Sequence, residues 1–171
     1  MKKGNSTPGF VEYIRQVKYN AQFLAAELTK MGYHIVTGGT DNHIVLWDLR
    51  STTGLSGSKL EKLLERCDIS VNKNSVFGDK SAVNPGGIRL GTPAMTTRGA
   101  TEKDFGFIAD LLHRAVLLAK RVQNELPDEK LASFVTALER SDVKAEIESL
   151  RQEVHSFSSS LALPGKEFHL L

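Results

Sequence analysis

One cysteine in 171 residues, Cys67, excludes an internal disulfide and fits a reducing compartment. No apolar run approaches the roughly 20 residues needed to span a bilayer as a helix. Neither charge sign dominates: 22 basic residues against 20 acidic ones, mixed along the chain, give +2. A dedicated nucleic-acid binder would instead cluster its basic residues on one face. No internal repeat or low-complexity block is present, and His34, His113, His155 and His169 are scattered without metal-ligand spacing. They read as surface or helix residues, and no metal is expected. The first residues, MKKGNSTPGF, lack an apolar stretch behind their lysines, so no targeting segment is visible.

What is present is an ordinary globular composition, 40% apolar and 25% charged, at a length that suits one domain or one domain with a helical appendage. Thr7 suits an N-cap and Pro8 a first helical position. Phe10, Ile14, Val17, Ala21, Leu24, Leu28 and Met31 then alternate by four and three until Gly32. Such a seam packs on another helix as readily as on a sheet, so it is a candidate interface as well as a core face. Segments 33–36 and 43–49 read as strands, separated by Gly38-Gly39. Gly57 to Arg66 reads as a short amphipathic helix, followed by brief strands at Ile69-Ser70-Val71 and Ile88-Arg89-Leu90. This layout is βαβ-like. The last third is helical. It opens with Thr101-x-x-Asp104 at capping-box spacing, continues with a helix from Glu129 to Leu138, and ends with one starting near Ser141. The serine run 158–160 and Pro164-Gly165 then end regular structure. Cys67 falls in the phase of Leu60, Leu63 and Leu64, which predicts an inert buried thiol; Arg66 alone is thin support for a reactive one.

The densest chemistry lies in VNKNSVFGDKSAVNPGGIRLGTPAMTTRG, residues 71–99. Arg89 stands between glycines, which let a ligand approach the backbone, and its planar fork suits a carboxylate. The residue types leave open an arginine at a sheet edge or one paired to an internal acid. Asn74 and Lys73 in a loop are ordinarily turn formers and solvated charge. Arg98, beside the start of a long helix, either fixes that turn or makes a second anion contact.

GGIRLGTPAMTTRG, with N-K-N-S before it and Gly39-Thr40-Asp41-Asn42-His43 further upstream, resembles the C-terminal small domain of serine hydroxymethyltransferases in their eukaryotic form. The resemblance runs from about Pro8 to Leu163-Pro164-Gly165. It implies an α/β (α+β) fold: the small domain of a fold-type I pyridoxal-phosphate enzyme, with a short antiparallel or mixed sheet of three or four strands covered by helices on one side. It divides the chain into a linking amphipathic helix over 1–32, the small domain over 33–165 and a tail over 166–171. In that family the reaction is the interconversion of serine and glycine, with one-carbon transfer to tetrahydrofolate. Carried over, Arg89 holds the substrate α-carboxylate, which makes it a positioning group and not a proton carrier. Asn74 meets the pterin ring, where an amide offers both donor and acceptor. Lys73 lies toward the acidic tail of the folate. Asn42 and His43 hold the loop before the central strand.

The chain carries no threonine-rich segment ending in His-Lys, so the family's cofactor lysine is expected from other polypeptide, and no catalytic residue is assigned within this chain. Pyridoxal 5'-phosphate would then sit mostly in a large domain, and tetrahydrofolate serves as cosubstrate. Two readings follow. The chain is part of a serine hydroxymethyltransferase, a truncated product inactive alone, or it is a non-catalytic module that pairs with a full-length homologue. Both predict association, since a seam left bare favours dimerisation or aggregation. Serine, glycine and folate are the expected partners, without nucleic acid or membrane. The family resemblance gives cytoplasm or mitochondrion as the compartment.

Overall fold

The computed structural model describes residues 7–81 and 83–164. The expected tail, 166–171, and His169 lie outside them. Helix α1 spans Pro8–Lys30. The Thr7 hydroxyl accepts the Phe10 amide at 3.3 Å, Pro8 takes the first turn, and the chain breaks away at Gly32 with φ +87°. Only the second half of its seam enters the core. Val17, Ala21, Leu24 and Leu28 are buried, whereas Phe10 and Ile14 remain 37% and 46% exposed. The seam also holds a residue its apolar spacing hides. Asn20 is fully buried, and its amide nitrogen donates to Thr96 Oγ1 at 2.8 Å and to the Ala100 carbonyl at 2.9 Å. A buried amide satisfied this way fixes where α1 crosses its neighbours.

Four short strands follow: β1 (His34–Ile35), β2 (Ile44–Asp48), β3 (Asn72–Asn74) and β4 (Gly87–Gly91). They form one sheet in the order β1-β2-β4-β3, and every pair is antiparallel. The βαβ-like layout is therefore corrected: the helices between strands return the chain against the direction of its neighbour instead of crossing over in parallel. The strand expected at 69–71 is also displaced. Ile69 and Val71 pack against the core as single side chains, and pairing with β4 begins at Asn72.

Helices α2 (Arg50–Thr53), α3 (Gly57–Arg66), α4 (Pro93–Thr97), α5 (Glu102–Asn124), α6 (Leu131–Ala137) and α7 (Ser141–Ser160) supply the rest. The predicted capping box at α5 is formed, with Thr101 and Asp104 exchanging side-chain and backbone bonds. Helix α7 runs through the serine run rather than stopping before it. The inner sheet face (Ile35, Val45, Trp47, Ile88, Leu90) meets α1, α3 and α5, and α6 and α7 close the far side. Trp47 is fully buried against Tyr33, with ring centroids 4.6 Å apart. Burial pushes the Tyr33 hydroxyl up to about 12, and it bonds His113 Nδ1 at 2.6 Å. Among the described residues no helix is long and apolar enough to cross a membrane.

Candidate functional site

Strand β4 serves two faces. Its side chains alternate, so Ile88 and Leu90 point into the core while Arg89 points out. Directly opposed residues in an antiparallel sheet share a face. Arg89 pairs with Leu46 on one side and Asn72 on the other, and Asn74 pairs with Gly87. Arg89, Asn72 and Asn74 therefore stand on the outer face, with Asn74 diagonal to Arg89. The Arg89 guanidinium is exposed and pairs with no acid among the described residues. Asn74 is half-buried, and its amide nitrogen donates to the Ser75 carbonyl at 2.8 Å, which leaves its oxygen available.

Lys73 pairs with Ile88, so it belongs to the inner face of this edge strand. Its backbone amide donates to Glu61 of α3 at 2.8 Å, and its ammonium reaches the Val83 carbonyl at 3.5 Å. The sheet thus separates Lys73 from Arg89. Arg98 is separated as well. Its Nε donates to the Ala162 carbonyl at 2.9 Å, and Nη2 donates to the carbonyls of Ser158 and Leu161. These carbonyls close the C-terminal end of α7, where a cation also meets the negative end of the helix dipole. Arg98 lies beside Leu90, on the opposite side of the sheet from Arg89, so the two guanidinium groups do not face one ligand.

The glycines before Arg89 require a correction. A Cβ on Gly87 would stand 2.5 Å from Val76 Cγ1 and 2.7 Å from the Trp47 carbonyl; one on Gly86 would stand 2.9 Å from Asp79 Oδ1. The room they create is filled by the protein's own atoms and not left for a ligand. Gly91, whose nearest neighbour is Pro93 Cδ at 3.8 Å, is the open one.

Asp79 organises this end of the site, and sequence reasoning passed over it. Its side chain is 5% exposed. One oxygen accepts the Val76 and Gly86 amides at 2.9 and 2.8 Å, and the other takes the Arg50 guanidinium. Arg50 also donates to the Asn84 carbonyl at 3.0 Å. Burial alone would raise the Asp79 carboxyl, but the Gly86 and Val76 amides, and then Arg50, outweigh it and hold the group below the usual carboxylate range. Arg50 and Asp79 lie 29 residues apart, so no local spacing signals the pair. The loop before β2 behaves as expected of Asn42: its side chain accepts the Ile44 amide at 2.7 Å, and Thr40 donates to the Ile44 carbonyl at 2.6 Å. His43 contributes through its backbone carbonyl, which accepts the Thr92 amide at 3.1 Å; its imidazole is exposed.

Lys59 of α3 is the one buried lysine among the described residues, at 3% exposure. Burial lowers its pKa, which the nearby acids Glu129 and Asp128 partly oppose. Its amine is occupied, donating to Gln123 Oε1 at 2.9 Å and standing 5.7 Å over the Phe134 ring on the helical side. The outer sheet face thus presents an exposed guanidinium fork and an amide, with no buried lysine beside them among the described residues.

Comparison with known proteins identifies the family. The sequence profile of the serine hydroxymethyltransferase family matches residues 1–112. Serine hydroxymethyltransferase 4 of Arabidopsis thaliana is 48% identical over 165 residues, 96% of this chain and 34% of that protein. The cytosolic serine hydroxymethyltransferase of Oryctolagus cuniculus is 49% identical over 162 residues, 93% of this chain and 33% of that protein. A putative mitochondrial serine hydroxymethyltransferase of Neurospora crassa is 44% identical, across 95% of this chain and 33% of its own length. The chain belongs to the serine hydroxymethyltransferase family. It spans about a third of the length of the curated relatives it matches. The relatives' names describe a transferase, found in more than one compartment.

Proposed function

We propose that this chain supplies the substrate-carboxylate and folate contacts of a serine hydroxymethyltransferase, with Arg89 gripping the α-carboxylate of serine or glycine and Asn74 meeting the pterin edge. The observation that carries this reading is the acid-free Arg89 guanidinium on the same sheet face as Asn74. Lys73 is the weaker contact, because its ammonium leaves from the other side of the edge strand. Enzymes of the family use pyridoxal phosphate, and the residues of this chain do not fit that group. Among the described residues the one buried lysine, Lys59, is engaged by Gln123 on the helical side, and no second amine is held beside the outer face. The cofactor and the bond-breaking groups then belong to other polypeptide, and the isolated chain is inactive.

The test joins this chain to the N-terminal two-thirds of a full-length relative and measures serine cleavage. Losing the charge-assisted fork to a carboxylate, discounted because the guanidinium is exposed, raises the serine KM by about 10–100-fold in Arg89→Ala; unchanged serine kinetics remove Arg89 from the site. Asn74→Ala lowers folate affinity, and undiminished affinity removes Asn74. The isolated chain given pyridoxal phosphate shows no stoichiometric, borohydride-sensitive aldimine band.

A second reading draws on α1, where Phe10, Val11 and Ile14 are 37–46% exposed in the first turns. In this reading the chain associates with a full-length homologue through that face. Co-purification that survives Arg89→Ala but is lost in Ile14→Asp supports it.

A further inference from the structure

Behind the sheet, on the side away from Arg89, a cleft of about 460 Å³ opens between α5, α7 and the end of β4. The apolar side chains that reach its surface are Ile69, Val71, Met95, Ile108, Val154 and Phe157, over a floor of core residues. That volume lies within the range of small-molecule sites and far above the voids left by core packing. Arg98, Asp68, His155 and Ser158 stand among its polar lining.

The charges there are unevenly satisfied. Asp68 is held by Arg151 at 3.0 Å and by His155 at 2.6 Å, so its carboxylate is already paired. Arg98 meets only neutral carbonyls, through Nε and Nη2, and forms no ion pair among the described residues. The α7 carbonyls and the helix dipole offset part of its charge, and no hydrogen bond engages its Nη1 among the described residues.

We propose that this cleft binds a small amphipathic anion, an apolar body of one or two rings bearing a single carboxylate, with the body among Met95, Ile108 and Val154 and the carboxylate on Arg98. The α7 carbonyls that orient the guanidinium also fix its fork, so the charge is preorganised for the ligand. The site is independent of the amino-acid site at Arg89.

The test titrates the full chain with 2-naphthoate by calorimetry, with 2-naphthamide as the neutral control. Saturable one-to-one binding of the acid is expected, about tenfold tighter than the amide. Arg98→Met removes that preference and Arg98→Lys restores part of it, whereas Ile108→Trp, with its helical circular dichroism intact, fills the cleft and abolishes binding of both. Arg89→Ala leaves the titration unchanged, which separates this site from the proposed substrate site. No saturation at millimolar naphthoate, equal affinity for acid and amide, or binding untouched by Ile108→Trp each overturns the proposal. Self-association relieved by Ile108→Trp would assign the cleft to a second copy and overturn it equally.

Discussion

Replacing Asp79 by alanine removes one carboxylate from three donors at once. Val76 and Gly86 lose the acceptor for their amides, at 2.9 and 2.8 Å, and the Arg50 guanidinium loses the one acid it meets among the described residues. Charge-assisted hydrogen bonds contribute about 1.5–3 kcal/mol each when buried. Arg50 is 42% exposed, so water recovers most of its share, and that contact is discounted to about 0–1 kcal/mol. The two amides dominate, and the expected loss is about 3–5 kcal/mol. For a chain of this length that lowers Tm by roughly 6–20 °C. Urea unfolding followed by circular dichroism reads it as a drop in midpoint at unchanged m. Asp79→Asn keeps an acceptor oxygen and falls between wild type and alanine. A cycle with Arg50→Met isolates a coupling of at most about 1 kcal/mol. Acid tests the same group. Its folded pKa is depressed, so its stabilisation is complete above the unfolded value near ~4 and is lost as pH falls through the folded one. The mutant should therefore show a flatter stability profile in acid. A loss below about 1 kcal/mol, or an acid profile identical to wild type, would refute Asp79 as the staple of this loop.

Two glycines in the chain should respond to alanine with opposite signs. At Gly57 a Cβ would lie 2.0 Å from the Gly87 carbonyl oxygen and 2.8 Å from its carbon, backbone that cannot yield; Gly57→Ala should cost about 1–3 kcal/mol or more by urea unfolding. At Gly9, inside α1 with nothing within 4 Å, Gly9→Ala should stabilise by about 0.5–1 kcal/mol. Cys67 is fully buried, and burial, then the neighbouring Asp68, pushes its thiol up to about 11. A disulfide reagent at pH 8 should label it only through the urea transition, and rapid labelling of the native chain would contradict that burial.

Elements that carry their own punctuation were legible in the sequence. Leucine spacing marked α3 from Gly57 to Arg66, and the structure adds its cap, the Ser56 hydroxyl accepting the Lys59 amide. Thr101 and Asp104 start α5 in the same local way. Strand β3 was not legible, because Ile69 and Val71 have the stronger strand propensity while pairing goes to the polar Asn72-Lys73-Asn74. Pairing is decided by register against β4, and a solvent-facing edge tolerates polar residues. Asn20 was hidden by the apolar seam around it, since its partners Thr96 and Ala100 are 76 and 80 residues away. At the site, Arg89 and Asn74 were visible as residue types in a motif. Their common face, and the exclusion of Lys73 from it, exist only once the three strands are in register.

That register links stability to the site. Sliding β4 by one residue against β2 would turn Arg89 into the core and Ile88 and Leu90 out to solvent, the usual consequence of a period of two. Burying one unpaired guanidinium is the costlier half of that exchange. Close backbone contacts resist the slip at the start of the strand. Gly57 sits against Gly87 with no space for a methyl group, the Gly57 amide donates to the Pro85 carbonyl at 2.7 Å, and Asp79 holds the Gly86 amide. At the other end the Thr92 amide is tied to the His43 carbonyl at 3.1 Å. Arg89 itself makes none of these contacts. Its substitution should therefore leave folding within about 0.5 kcal/mol, while substitutions at Gly57 or Asp79, which touch no ligand, should disturb both folding and the aim of the guanidinium.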